Sequence, residues 1–219
     1  MKKANALLVG TILAASTVAS NVAVAELSGN VGFTSNYIWR GVTQGSDDSA
    51  ISGGIDYAHD SGFYAGTWVS SLSGGSQYEQ DLYLGYGFDA GPVGMDVGYI
   101  RYMYPIDSTV EDDFDELYVN ASYEMFTAGV AMTMDTEAGG QYEDDMYMFV
   151  GADFEVKDGL SLGLVYGDYD FDDPASTDYS HYQISLSKDD FVFAFDQNDQ
   201  DGAAGDARFT VSYSKSFDL

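Results

Sequence analysis

The chain has no cysteine, only 3 prolines and 2 histidines, and 8 basic residues in 219. Without cysteine there is no disulfide framework, no zinc ribbon and no thiol nucleophile. The few Lys and Arg face 36 Asp and Glu, for a formal net charge of −28. That excludes nucleic acid as a partner, because phosphate binding needs clustered cations. Past residue 25 no apolar run approaches the roughly 20 residues of a membrane-spanning helix. What is abundant points to an ordered chain. There are 18 Tyr, 13 Phe, 2 Trp and 25 Gly, and 45% of residues are hydrophobic, far above an acidic disordered tail. The length suits one domain with a real core.

Residues 1–25 have the layout of a secretory signal. Lys2 and Lys3 form the charged start, Ala6 to Ala19 an apolar stretch, and Ala23-Val24-Ala25 a small-x-small cleavage site. Cleavage after Ala25 leaves a mature chain of residues 26–219; an uncleaved anchor is the alternative. Loss of Lys2 and Lys3 leaves 36 acids against 8 − 2 = 6 basic residues, a charge of −30. If this mature chain spans a membrane, it does so as strands.

Beyond Glu26 the hydrophobic period is two, the signature of strands. Leu82, Leu84, Tyr86 and Phe88 alternate with Asp81, Tyr83 and Gly85, and Leu117, Val119, Ala121 and Tyr123 with Tyr118, Asn120 and Ser122. Twelve such segments are expected, the first running to Arg40. The one from Phe63 to Val69 has no clear choice of face. Their connectors are expected at 41–50, 59–62, 71–79, 89–92, 105–116, 124–125, 135–145, 155–159, 168–178, 188–190 and 196–206, long and short in strict alternation. A Greek-key sandwich gives no reason for that alternation. A membrane barrel does, with short periplasmic turns at one end and longer outer loops at the other. The expected fold is therefore all-β: a transmembrane, antiparallel, up-and-down barrel of about 12 strands, both termini periplasmic. Aromatics beside the short turns (Tyr57, Phe63, Phe88, Tyr123, Phe126, Phe154, Phe191) and nearer the long loops (Trp39, Trp68, Tyr99, Tyr166, Tyr182) suggest two interfacial girdles.

Of the acids, 23 fall in the long connectors and 7 in the short ones, so the outer end is much the more negative. Asp56, Asp81, Asp96 and Asp153 lie inside strands, and parity turns all four inward, with Tyr83 and Tyr118 partly filling the space. Most other inward positions are Gly, Ser, Thr, Asn or Gln. Twelve strands lie between the filled small barrels and the wide porins, so this lining favours a narrow water-filled pore. Arg40 and Arg208 are expected inward at the outer ends of the first and last strands. They form either a basic patch facing acidic walls, which would sieve charged solutes, or pairs with nearby carboxylates; a third alternative has one of them snorkelling to lipid phosphates. His181 also faces inward near the outer mouth. Arg40, Asp56, Asp81, Tyr83, Asp96, Tyr118, Asp153, His181 and Arg208 are the expected pore-lining set.

Chemistry finds little support. His59 reads as a solvated residue of the turn His59-Asp60-Ser61-Gly62. A lipase needs a Ser–His pair presented to lipid, but His181 points inward and Gln183 stands two residues on. The segment Asp196 to Gly202 resembles a calcium loop but puts Gln197 first and Arg208 last, where an EF-hand needs Asp and Glu. No catalytic residue, resident metal or cofactor is expected.

Several stretches are distinctive: Val31-Gly32-Phe33-Thr34-Ser35-Asn36-Tyr37-Ile38-Trp39-Arg40-Gly41-Val42-Thr43-Gln44, Gly54 to His59, Gly62 to Trp68, Asp96-Val97-Gly98-Tyr99 and Tyr104-Pro105. These resemble the TorF family of porin-like proteins, also known as the Gcw_chp family of proteobacterial outer-membrane proteins. The resemblance covers essentially the whole mature chain and implies a bacterial outer-membrane barrel, without a substrate or catalytic residues. The expected function is passive passage of small hydrophilic solutes, with cations preferred because a mouth of one sign concentrates counter-ions. The expected partners are outer-membrane lipid, lipopolysaccharide and those solutes, with no signal for an oligomeric state. The alternatives are a closed barrel whose acidic loops bind cations, lipid or a partner, and, third, an outer-membrane hydrolase built on His181.

Overall fold

The computed structural model describes residues 26–72, 78–105, 113–136 and 143–219; the expected signal, 1–25, lies outside the described residues. In chain order the strands are β1 (Glu26–Thr34), β2 (Ile38–Trp39), β3 (Val42–Thr43), β4 (Ala50–Ala58), β5 (Phe63–Ser71), β6 (Tyr78–Ala90) and β7 (Val93–Met103). They continue as β8 (Phe114–Tyr123), β9 (Phe126–Thr136), β10 (Met146–Lys157), β11 (Leu160–Asp170), β12 (Tyr179–Lys188), β13 (Phe191–Asn198) and β14 (Arg208–Asp218). All except β2 and β3 form one closed antiparallel barrel of 12 strands, with β1 paired to both β4 and β14. Closure leaves no unpaired strand edge, the condition for a sheet to sit in hydrocarbon.

Period-two patterning sorts the side chains. Ile51, Leu84, Val119, Val150, Ile184, Phe193 and Phe209 stand exposed on the outside, Ile51 at 70% and Phe209 at 79% of full exposure. A soluble protein does not leave a belt of this extent to water, and lipid removes the cost. Tyr64, Trp68, Glu79, Asp81, Tyr118, Thr133 and Ser185 are buried on the inside. The face of the 63–69 strand is thereby settled: Tyr64, Trp68 and Ser70 point inward, and Phe63 and Val69 outward.

The alternation of connectors holds. Short turns at 59–62, 91–92, 124–125, 158–159 and 189–190 alternate with 35–49, 72–77, 104–113, 137–145, 171–178 and 199–207. Asp158 and Gly159, both at positive φ (50° and 78°), close β10 onto β11 as a type I′ turn does. Tyr57, Phe63, Phe88, Tyr123, Phe126, Phe154 and Phe191 are exposed beside the short turns, and Tyr166 and Tyr182 are exposed on strands near the other end. Trp39 and Trp68 do not belong to that outer ring, because both pack inside the barrel.

The largest departure from expectation is at the first connector. Strand β1 stops at Thr34 and does not reach Arg40. The Thr34 hydroxyl donates to the Asn36 carbonyl at 2.8 Å, and the chain leaves the wall there. Residues 38–43 then form their own two-stranded ribbon, β2 paired with β3.

Candidate functional site

The ribbon is closed by Arg40-Gly41, both at positive φ (47° and 80°), between the pair Trp39 and Val42. A two-residue I′ loop demands that geometry, which glycine adopts freely and arginine does not. Tertiary contacts hold Arg40 there. Its two terminal nitrogens donate to the two carboxylate oxygens of Glu116 on β8, each at 2.7 Å, with Arg40 only 2% and Glu116 1% exposed. The guanidinium also lies 4.2 Å from the Trp39 ring centre and 4.3 Å from that of Tyr147 on β10.

The rest of the ribbon touches the wall all round. Tyr37 donates to Glu79 on β6 at 2.7 Å and meets Trp68 on β5 edge-on. Trp39 packs against Tyr102 on β7, Phe114 on β8 and Tyr169 on β11. Gly41 lies against the His181 ring on β12, where a side chain at position 41 would collide, and its carbonyl accepts from Asn198 on β13 at 2.8 Å. A segment reaching β5, β6, β7, β8, β10, β11, β12 and β13 lies across the lumen.

Its base is tied as well. Asp47 Oδ1 accepts from Asn36 at 2.8 Å and from Arg208 Nε at 2.6 Å, and Thr43 donates to Asn36 at 2.7 Å. Arg208 further donates to the carbonyls of Ala203, Ala204 and Asp206, joining the first loop to the last. The Arg208 hydrogen bond, aided by Asn36 and opposed by slight burial, holds the Asp47 carboxyl below its usual range.

Arg40 and Arg208 therefore form no basic patch: each is paired with its own carboxylate, Glu116 and Asp47. Two of the strand-interior acids, Asp56 and Asp96, sit inward with hydrogen-bond partners. Asp56 accepts from Tyr83 and Asn30, and Asp96 accepts from Tyr64 at 2.6 Å and from Asn120. Tyr64 and Tyr118 share a hydroxyl contact at 2.5 Å. Gly66 and Gly85 leave room for the Tyr83 and Tyr64 rings, which a methyl group at either position would strike. Asp81 is buried with Oδ1 lacking a hydrogen-bond partner, and Asp153 lies beside Gly163. His181 stacks on Tyr147 with its Nε2 2.9 Å from that hydroxyl, and Ser180 donates to Asp168. The hydrolase alternative thus finds His181 committed to Tyr147 and not to a serine. His59 lies in its turn, Nδ1 2.9 Å from Ser61 Oγ. Among the described residues no group of three or more His, Asp or Glu is arranged to hold a metal.

Glu79, Glu116 and Asp196, buried acids on strands, fall in expected connectors, whereas Asp145, also buried, does lie in one. For Glu79 and Glu116 the signal was alternation itself: extending β6 and β8 two or three residues outward puts both on the inward face.

A closed 12-stranded barrel with an apolar outside and a polar inside is an outer-membrane β-barrel. Its fold is that of the KdgM porin, at TM-score 0.56 and 10% identity over 87% of this chain and 99% of that one. A KdgM porin in complex with disordered oligogalacturonate superposes equally well, at TM-score 0.56 and 8% identity over 89% of this chain and 99% of that one. OccAB4 of Acinetobacter baumannii is more distant, at TM-score 0.43 and 14% identity over 86% of this chain and 57% of that one. No curated protein matches the sequence. The family model described as "Bacterial protein of unknown function (Gcw_chp)" matches residues 18–217, and the chain belongs to that family.

Proposed function

We propose that the protein is a porin-like channel for passive diffusion of small hydrophilic solutes, with a preference for cations. The observation that supports this reading is the inward face, where carboxylates and hydroxyls (Asp56, Asp81, Asp96, Ser185, Thr210) replace the apolar side chains of the outward face. Such a lining serves a hydrated path, and an excess of one charge concentrates the opposite ion. Oligogalacturonate, the molecule in the KdgM complex, is itself polyanionic and poorly matched to this acidic lumen. In this reading residues 1–25 are removed on export, both termini and the short turns face the periplasm, and the long acidic loops meet lipopolysaccharide outside. Arg40, Asp56, Asp81, Tyr83, Asp96, Tyr118, Asp153, His181 and Arg208 then line or brace the path.

The ribbon lying across the lumen favours a second reading, a barrel closed at rest. Recording purified protein in planar bilayers separates the two. Discrete single-channel steps are the outcome expected of a pore; silence at every voltage would leave the closed barrel.

A further inference from the structure

We infer that the Arg40–Glu116 pair sets the size limit of the barrel by pinning the 38–43 ribbon across its lumen. This rests on the porin-like reading and adds to it the residues that decide which solutes pass.

The ribbon cannot hold itself in place. Its own ladder consists of Ile38 with Thr43 and Trp39 with Val42, extended by one bond from the Gln44 N–H to the Tyr37 carbonyl. A two-stranded ribbon so short has no independent stability in water. Its position therefore comes from the wall, and the wall contacts are unequal. Asn198 gives its tip a single neutral hydrogen bond, and Glu79 accepts one from Tyr37 near its base. Among the described residues, only Glu116 meets the tip with two parallel charge-assisted bonds at 2.7 Å.

Burial gives this pair its leverage. Both partners are out of water, so neutralising one leaves the other charged, desolvated and without its main partner. For Arg40 a return to water requires the ribbon to swing away from β8. Its base can stay tied, because the bonds among Asn36, Asp47 and Arg208 do not involve Glu116. The stack of Trp39 and Tyr147 on the guanidinium orients Arg40 for Glu116 but cannot replace the lost carboxylate charge.

The test uses the full-length exported protein, refolded or extracted from membranes, and four variants: Glu116→Gln, Arg40→Gln, Arg40→Lys and the exchange Arg40→Glu with Glu116→Arg. Heat-modifiable mobility first confirms that each is a folded barrel, and the conservative Arg40→Lys serves if a Gln variant does not fold. Single-channel conductance is recorded, and swelling of proteoliposomes is followed in uncharged sugars of increasing length. Glu116→Gln and Arg40→Gln are expected to conduct more than the parent and to admit sugars at least one unit longer. Arg40→Lys should lie between, and the exchange should return the limit toward that of the parent. A silent parent with conducting single variants also supports the pair. Equal conductance and an equal sugar limit in parent and single variants would overturn the inference and leave the porin-like reading standing. An exchange that behaves like the single variants would assign the effect to separate side chains and overturn the pair. Silence from every form would overturn both.

Discussion

At Arg40 and Gly41 one turn meets two demands. The backbone needs positive φ at both positions, and the tip must lie flush against His181. Only glycine satisfies both at position 41, since a β-branched side chain there would be strained by about 1–3 kcal/mol and would also strike the imidazole. Gly41→Val is therefore expected to unseat the ribbon while the barrel survives. Limited trypsin digestion of the inserted protein should then cut after Arg40, which is buried in the parent and is expected to resist there; equal resistance would contradict this. At the base, the Asp47 carboxyl is held below the usual carboxylate range by Arg208. A depressed folded value means the tie contributes above the unfolded Asp pKa of about 3.9 and is lost as pH falls through the lower folded value. Arg208→Gln should move the Asp47 titration, followed by carbon NMR, back up toward that reference. Residue identity was only partly legible here. Parity places Asp56, Asp81 and Asp96 inward because they sit mid-strand, whereas Arg40 looks in sequence like the end of a strand. A ribbon with two residues per arm is too short to show a period of its own, and Arg-Gly is a weaker turn signal than Asn-Gly or Asp-Gly.

Among the elements, the barrel strands were the most legible part of the molecule. Alternation over eight or more residues fixes both the strand and its lipid face, as in β10, where Met148 and Val150 are exposed while Tyr147 is buried. Val150→Arg puts a charge on that lipid face and, near mid-membrane, should cost about 2–4 kcal/mol, visible in denaturant unfolding from lipid; Val150→Leu should cost little. An equal cost for the two would mean that Val150 does not face hydrocarbon. Element ends were less legible. Glu79, Glu116 and Asp196 resemble loop residues in sequence because acids usually mark connectors, yet each continues a strand and points inward. Trp68 is ambiguous in sequence for a related reason. Aromatic residues near a strand end suit either an interfacial girdle or an interior packing partner, and for Trp68 its burial with Tyr37 from the ribbon shows the second.

On the scale of the whole molecule, net charge and topology act together. A closed barrel needs an even division between lipid and lumen faces, and the chain places its aliphatic residues on one and its carboxylates and hydroxyls on the other. With Arg40 paired to Glu116 and Arg208 to Asp47, neither arginine is left to offset Asp56 or Asp96 on the inner wall. The acidic long loops add to the same field. The most direct test is the reversal potential of single channels in a potassium chloride gradient: the account predicts a sign favouring potassium, and a sign favouring chloride would contradict it.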